Sequence, residues 1–136
     1  MLTIQGINYL AVVVAAVVAF IIGMVLFSPK FFGKDWAKEM GVSPKPRKGG
    51  GMVKGIVGAI VSVLITAFVL EVLIGSLGIT GMRGALELGI AVWLGFFFST
   101  QLVRVSFGGS RRMFFVMAAH DIIVVLVMSA ILVAMG

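Results

Sequence analysis

Residues 7–27 read INYLAVVVAAVVAFIIGMVLF, and this stretch decides the fold. It carries no charge. A helix needs about 20 consecutive, mostly apolar residues to cross a bilayer core, and this run reaches that length. The pattern returns three more times, at Val53–Leu77, Met82–Val103 and Met113–Met135. Four such runs in 136 residues leave no room for a separate soluble domain. The pattern predicts one all-α integral membrane domain over residues 1–136, a four-transmembrane-helix bundle with spans near 7–27, 53–77, 82–103 and 113–135.

Composition agrees. Hydrophobic residues make up 61% of the chain and charged residues 12%, against about 25% charged in soluble domains. The net charge of +6 is not a nucleic-acid signal, because the cations lie beside the apolar runs. There is no cysteine, hence no disulfide, thiolate nucleophile or cysteine metal site. No Lys or Arg precedes Lys30. A signal peptide carries its positive charge before its apolar stretch, so the first run reads as an uncleaved span with its amino end outside.

The cations set the orientation. The connection 28–52 and the residues next to it carry Lys30, Lys34, Lys38, Lys45, Arg47, Lys48 and Lys54. The second connection has only Arg83, and the third has Arg104, Arg111 and Arg112. The positive-inside rule places the first and third connections in the cytoplasm and both termini outside, N-out/C-out.

Within the cytoplasmic loop, Phe31–Met40 suits a short interfacial helix. Phe32, Trp36 and Met40 share one side, and Lys34 and Lys38 the other. Phe31, Phe32 and Trp36 then sit at headgroup level, with Lys34 and Lys38 toward anionic lipid. The plain reading is an anchor, and the functional reading is a plug over the cytoplasmic mouth. Ser43–Gly51, with two prolines and three consecutive glycines, reads as a hinge. The other turns are short, which makes helices two and three an expected antiparallel pair, and likewise three and four. Ser110 is the expected N-cap of the last helix.

Lipid is as apolar as leucine, so close backbone contact and interhelical hydrogen bonds hold such helices together. Ala11, Ala15, Ala19 and Gly23 form a small-residue stripe at four-residue spacing. Gly55, Ala59, Ser62 and Thr66 form a second. The two are expected to face each other or a neighbouring protomer.

Ionisable groups inside spans are costly and mark functional candidates. They are Glu71, Glu87, His120 and Asp121, with Gln101 as a polar neighbour. Glu71 and Glu87 fall at similar depth near the outer side. They could share a proton or a cation; alternatively, Arg83 pairs with Glu87 one turn away. His120 and Asp121 lie about two turns into the last helix. They read either as a proton relay with Gln101 or as a polar knot that fixes packing. No metal-ligand spacing, cofactor motif or catalytic triad is present.

The segments GMVLFSPKFFGKDW (23–36), VWLGFFFSTQLV (92–103) and HDIIVVLVMSAIL (120–132) together resemble the domain-of-unknown-function 1761 family of small prokaryotic membrane proteins. Gly23, Ser28, Pro29, Phe32, Gly33 and Trp36 match its G-x-x-W-Y-S-P-x-x-F-G-x-x-W pattern, and Leu26 and Phe27 replace the Trp and Tyr. The resemblance covers nearly the whole chain. It implies four membrane helices, a prokaryotic plasma membrane and no assigned activity.

These readings rank three roles. The first is a non-enzymatic membrane component forming a homo-oligomer or joining a larger complex. The second is a small proton- or cation-coupled transporter or channel subunit using the buried Glu, His and Asp. A membrane enzyme on a lipid-soluble substrate ranks last, for want of a nucleophile or metal signature. The expected partners are the bilayer and anionic headgroups at its cytoplasmic face, with no nucleic acid.

Overall fold

The computed structural model describes residues 1–28, 30–41 and 50–136, and these form five helices and no strands. Helix α1 covers Tyr9–Leu26, α2 Gly33–Met40 and α3 Gly50–Ser76. Helix α4 runs over Met82–Ser106 and α5 over Arg111–Met135. All but α2 are long and apolar enough to cross a membrane. The expected spans differ from these helices by a few residues at their ends. Helix α3 begins at Gly50, so the last two glycines of the expected hinge are helical. Residues 42–49 and Pro29 lie outside the described residues.

Local chemistry explains the helix ends. Asn8 caps α1, its Oδ1 accepting the Ala11 N–H at 3.1 Å. Ser110 caps α5 by accepting the Met113 N–H, as the sequence suggests. After α1 the chain doubles back. The Phe32 N–H reaches the Leu26 carbonyl at 2.9 Å, and the Phe31 and Gly33 N–H groups both reach the Ser28 carbonyl. A Cβ at Gly33 would lie 2.5 Å from the Phe27 carbonyl oxygen. Only glycine allows the elbow to close this tightly.

Helix α1 packs against α3 and α5, and α4 packs against α5. The buried core joins Ala11, Ala15 and Ala19 of α1 with Ala67, Leu70 and Ile74 of α3 and Val125, Met128 and Leu132 of α5. One expectation changes here. Helix α4 follows α3 through a tight turn yet rests on α5. Gly89 explains why: a Cβ there would meet Leu126 Cδ2 at 3.0 Å and Ser129 Oγ at 3.1 Å, so the α4 backbone lies directly on α5. Within the chain, Gly55, Ala59 and Ser62 of the second small-residue stripe are exposed and Thr66 is half-buried, while Ala67, Leu70 and Ile74 occupy the interface with α1.

Burial is uneven along the bundle. One end gathers residues 1–8, the α3–α4 turn and the end of α5, and its helices are well packed. At the other end, which carries α2, every residue of α3 from Val53 to Ser62 is exposed.

Helix α4 is not uniform. Between its α-helical parts, Met82–Val92 and Ser99–Ser106, residues Trp93–Phe98 form wider π-helical turns. Such turns leave carbonyls less well matched to following N–H groups. Ser99 Oγ donates to the Gly95 carbonyl at 2.6 Å, and Thr100 Oγ1 reaches those of Phe96 and Phe97 at 2.8 Å. The polar Ser-Thr pair thus serves the backbone of its own helix.

Candidate functional site

The candidate residues fall into two groups at opposite ends of the bundle.

At the end carrying α2, His120 Nδ1 and Asp121 Oδ1 are 3.0 Å apart. Both side chains are largely buried, 17% and 12% exposed. Neighbouring positions on a helix point about 100° apart, which argues against facing side chains. The two side chains meet nonetheless. The His120 ring lies against Phe27, with centroids 4.9 Å apart, and Phe27 in turn approaches Trp36 at 6.4 Å. A Cβ at Gly23 would come within 3.5 Å of His120 Nε2, so Gly23 leaves that nitrogen room.

Gln101 does not join His120 or Asp121. Its Oε1 accepts from Arg104 Nε at 3.1 Å. Arg104 Nη1 also donates to Glu39 Oε1 at 2.7 Å, and Arg112 Nε meets Asp35 Oδ2 at 3.2 Å. Helix α2 is therefore held to α4 and α5 by its two carboxylates, while Lys34 and Lys38 stay exposed. Of its aromatic anchors, Phe31 is exposed, Phe32 is half-buried and Trp36 is 37% exposed. Sequence reasoning missed Asp35, Glu39, Arg104 and Arg112 as a set. The available signal was the i, i+4 spacing of the two acids on an otherwise cationic helix.

At the opposite end, Glu71 and Glu87 do not pair. Glu87 forms an exposed ion pair with Arg83 at 2.9 Å, the alternative the sequence left open. Glu71 Oε1 accepts the Asn8 N–H at 3.2 Å. Asn8 also donates through Nδ2 to the Met135 carbonyl at 2.9 Å, so it ties α1 to α3 and α5. Asn8 was missed as well; its place just before an apolar run was the cue for a cap. A pocket of about 410 Å³ opens beside Glu71, walled by Ile74, Ile79, Leu132 and Val133.

Ala11, Ala15 and Ala19 are buried within the chain, and Gly23 is half-buried beside His120. Among the described residues, no three His, Asp, Glu or Cys side chains come together as a metal site.

The family model described as a protein of unknown function (DUF1761) matches residues 10–133, nearly the whole chain. The chain belongs to the DUF1761 family. Neither the curated proteins nor the solved structures give a match. The DUF1761 match reaches all four long helices and includes Glu71, Glu87, Gln101, His120 and Asp121. It adds no chemistry to either.

Proposed function

We propose that this DUF1761 protein is a multi-pass plasma-membrane protein with both termini outside, acting as a non-enzymatic component that associates with itself or with a larger membrane complex. The placement rests on the four apolar helices and on the cations, seven beside the first connection, three in the third and one in the second. Helix α2, Arg104 and Arg112 share one end, which becomes the cytoplasmic end.

One observation carries the choice of role. The ionisable groups do not converge on a common path. Glu71 is bonded to Asn8, Glu87 to Arg83, His120 to Asp121 and Gln101 to Arg104. A relay across the bilayer needs linked groups, whereas local pairing is what a structural component requires. The exposed run Val53–Ser62, which includes Gly55, Ala59 and Ser62, supplies a small-residue face with no partner among the described residues.

Cysteine labelling tests the topology. Lys34→Cys should react with a membrane-impermeant reagent only from the cytoplasmic side, and Leu77→Cys only from outside. Labelling of Lys34→Cys in intact cells would overturn the orientation. Ala59→Cys should form a disulfide-linked dimer in native membranes, or crosslink to a larger partner; neither product would leave the association reading without support.

A second reading, proton-coupled transport, draws on the His120–Asp121 pair and the room that Gly23 leaves at Nε2. It requires a pH-driven flux in liposomes that Asp121→Asn abolishes while the fold survives.

A further inference from the structure

Glu71 is the one ionisable side chain on the wall of the pocket. Its Oε1 takes the Asn8 N–H. Among the described residues it has no ion-pair partner, since Arg83 is engaged by Glu87. No buried side-chain nitrogen or oxygen among them lacks a hydrogen-bond partner. The second oxygen, which has no such bond, is therefore reached from outside. Glu71 lies on the wall of the pocket, which offers such open space. Gly6 and Gly75 also line the pocket, and a Cβ at either would meet nothing within 4 Å. Ile74, Ile79, Leu132 and Val133 make the aliphatic part of the wall, and Asn8, Thr80 and glycines the rest.

A carboxylate with no ion-pair partner among the described residues, set in a small and partly aliphatic pocket, is a poor host for a hydrated metal ion. A metal needs several oxygen ligands; Asn8 Oδ1 on this wall is already taken by the Ala11 N–H, and no three His, Cys, Asp or Glu come together among the described residues. A compact organic cation fits both features: its charge meets the carboxylate, and its carbon substituents meet Ile74, Ile79 and Leu132. We propose that this pocket binds an ammonium group, with the nitrogen against Glu71. The ammonium belongs either to a free solute or to the headgroup of an aminolipid in the adjacent leaflet. The site does not depend on self-association.

The test uses the full chain in nanodiscs of phosphatidylglycerol alone, which offers no amine. Choline is titrated by calorimetry beside its uncharged isostere 3,3-dimethylbutanol. Choline should bind at least about tenfold more tightly. Glu71→Gln keeps an acceptor for Asn8 and should abolish that preference, while Glu87→Gln should keep it. Gly75→Phe should occupy the pocket and remove binding of both probes. Thermal melting confirms that each variant is folded; if Glu71→Gln does not fold, Gly75→Phe carries the test. Equal binding of the two probes, or an unchanged preference in Glu71→Gln, overturns the proposal. Adding phosphatidylethanolamine then separates the sources. Competition with choline assigns the site to a lipid headgroup, and no competition assigns it to a free solute.

Discussion

Glu39 of α2 and Arg104 of α4 stand 65 positions apart in the chain and meet at 2.7 Å. With Asp35 and Arg112 at 3.2 Å, this contact makes α2 part of the bundle and not merely a helix resting on lipid. The two ties are unequal. Glu39 and Arg104 side chains are 21% and 39% exposed, against 30% and 68% for Asp35 and Arg112. Solvent screens the second pair more, and exposed pairs contribute about 0.2–1 kcal/mol at most.

Glu39→Ala should therefore release α2 more than Asp35→Ala does. Acrylamide quenching of tryptophan fluorescence, measured in a Trp93→Phe background so that only Trp36 reports, should rise in that order. Molar salt should reproduce the Asp35→Ala effect in the unaltered chain, because screening acts first on exposed charges. Quenching unchanged in both variants would show that neither ion pair holds the helix.

Gly89→Ala should destabilise the protein by about 1–3 kcal/mol, the usual cost of overpacking. The new methyl would press on Leu126 and Ser129 between α4 and α5. Gly75→Ala meets open space and should shift stability by less than about 0.5 kcal/mol. Thermal unfolding in detergent separates the two.

Ala15→Leu should lower the stability of the single chain by a similar amount, about 1–3 kcal/mol. Ala15 is fully buried between helices of one protomer. The loss should persist when the protein is diluted to a monomer. A loss that disappears on dilution would place that stripe between protomers.

A double-mutant cycle of His120→Ala and Asp121→Asn should give a coupling of about 0.5–3 kcal/mol, as for side chains in direct contact. Additive losses would mean that the 3.0 Å contact carries no energy. Gly23→Leu should disturb the same pair by filling the space beside His120 Nε2.

The long helices were legible because span length is a local property: about 20 apolar residues announce themselves without any partner. The Ser110 cap was legible for the same reason. Partnerships were not. Asp35 and Glu39 find their arginines across 77 and 65 positions, and nothing near α2 in the chain names them. The α3–α4 turn is short, yet the choice of neighbour was made by Gly89, which lets α4 approach α5. The expected link of Gln101 to His120 assumed an α-helical register along α4, and Glu87, Ala91 and Leu94 are exposed whereas Phe98 and Gln101 turn inward.

That turn has its origin in Trp93–Phe98. A π-helical stretch holds one residue more than the same rise of α-helix would. The chain therefore carries a spare residue midway between Glu87 and Arg104. Removing one position there would convert the stretch to ordinary helix while both flanking faces keep their direction. Removing one before Arg83 or after Arg104 would have no such outlet. Length differences among DUF1761 proteins in this helix should accordingly fall within 93–98.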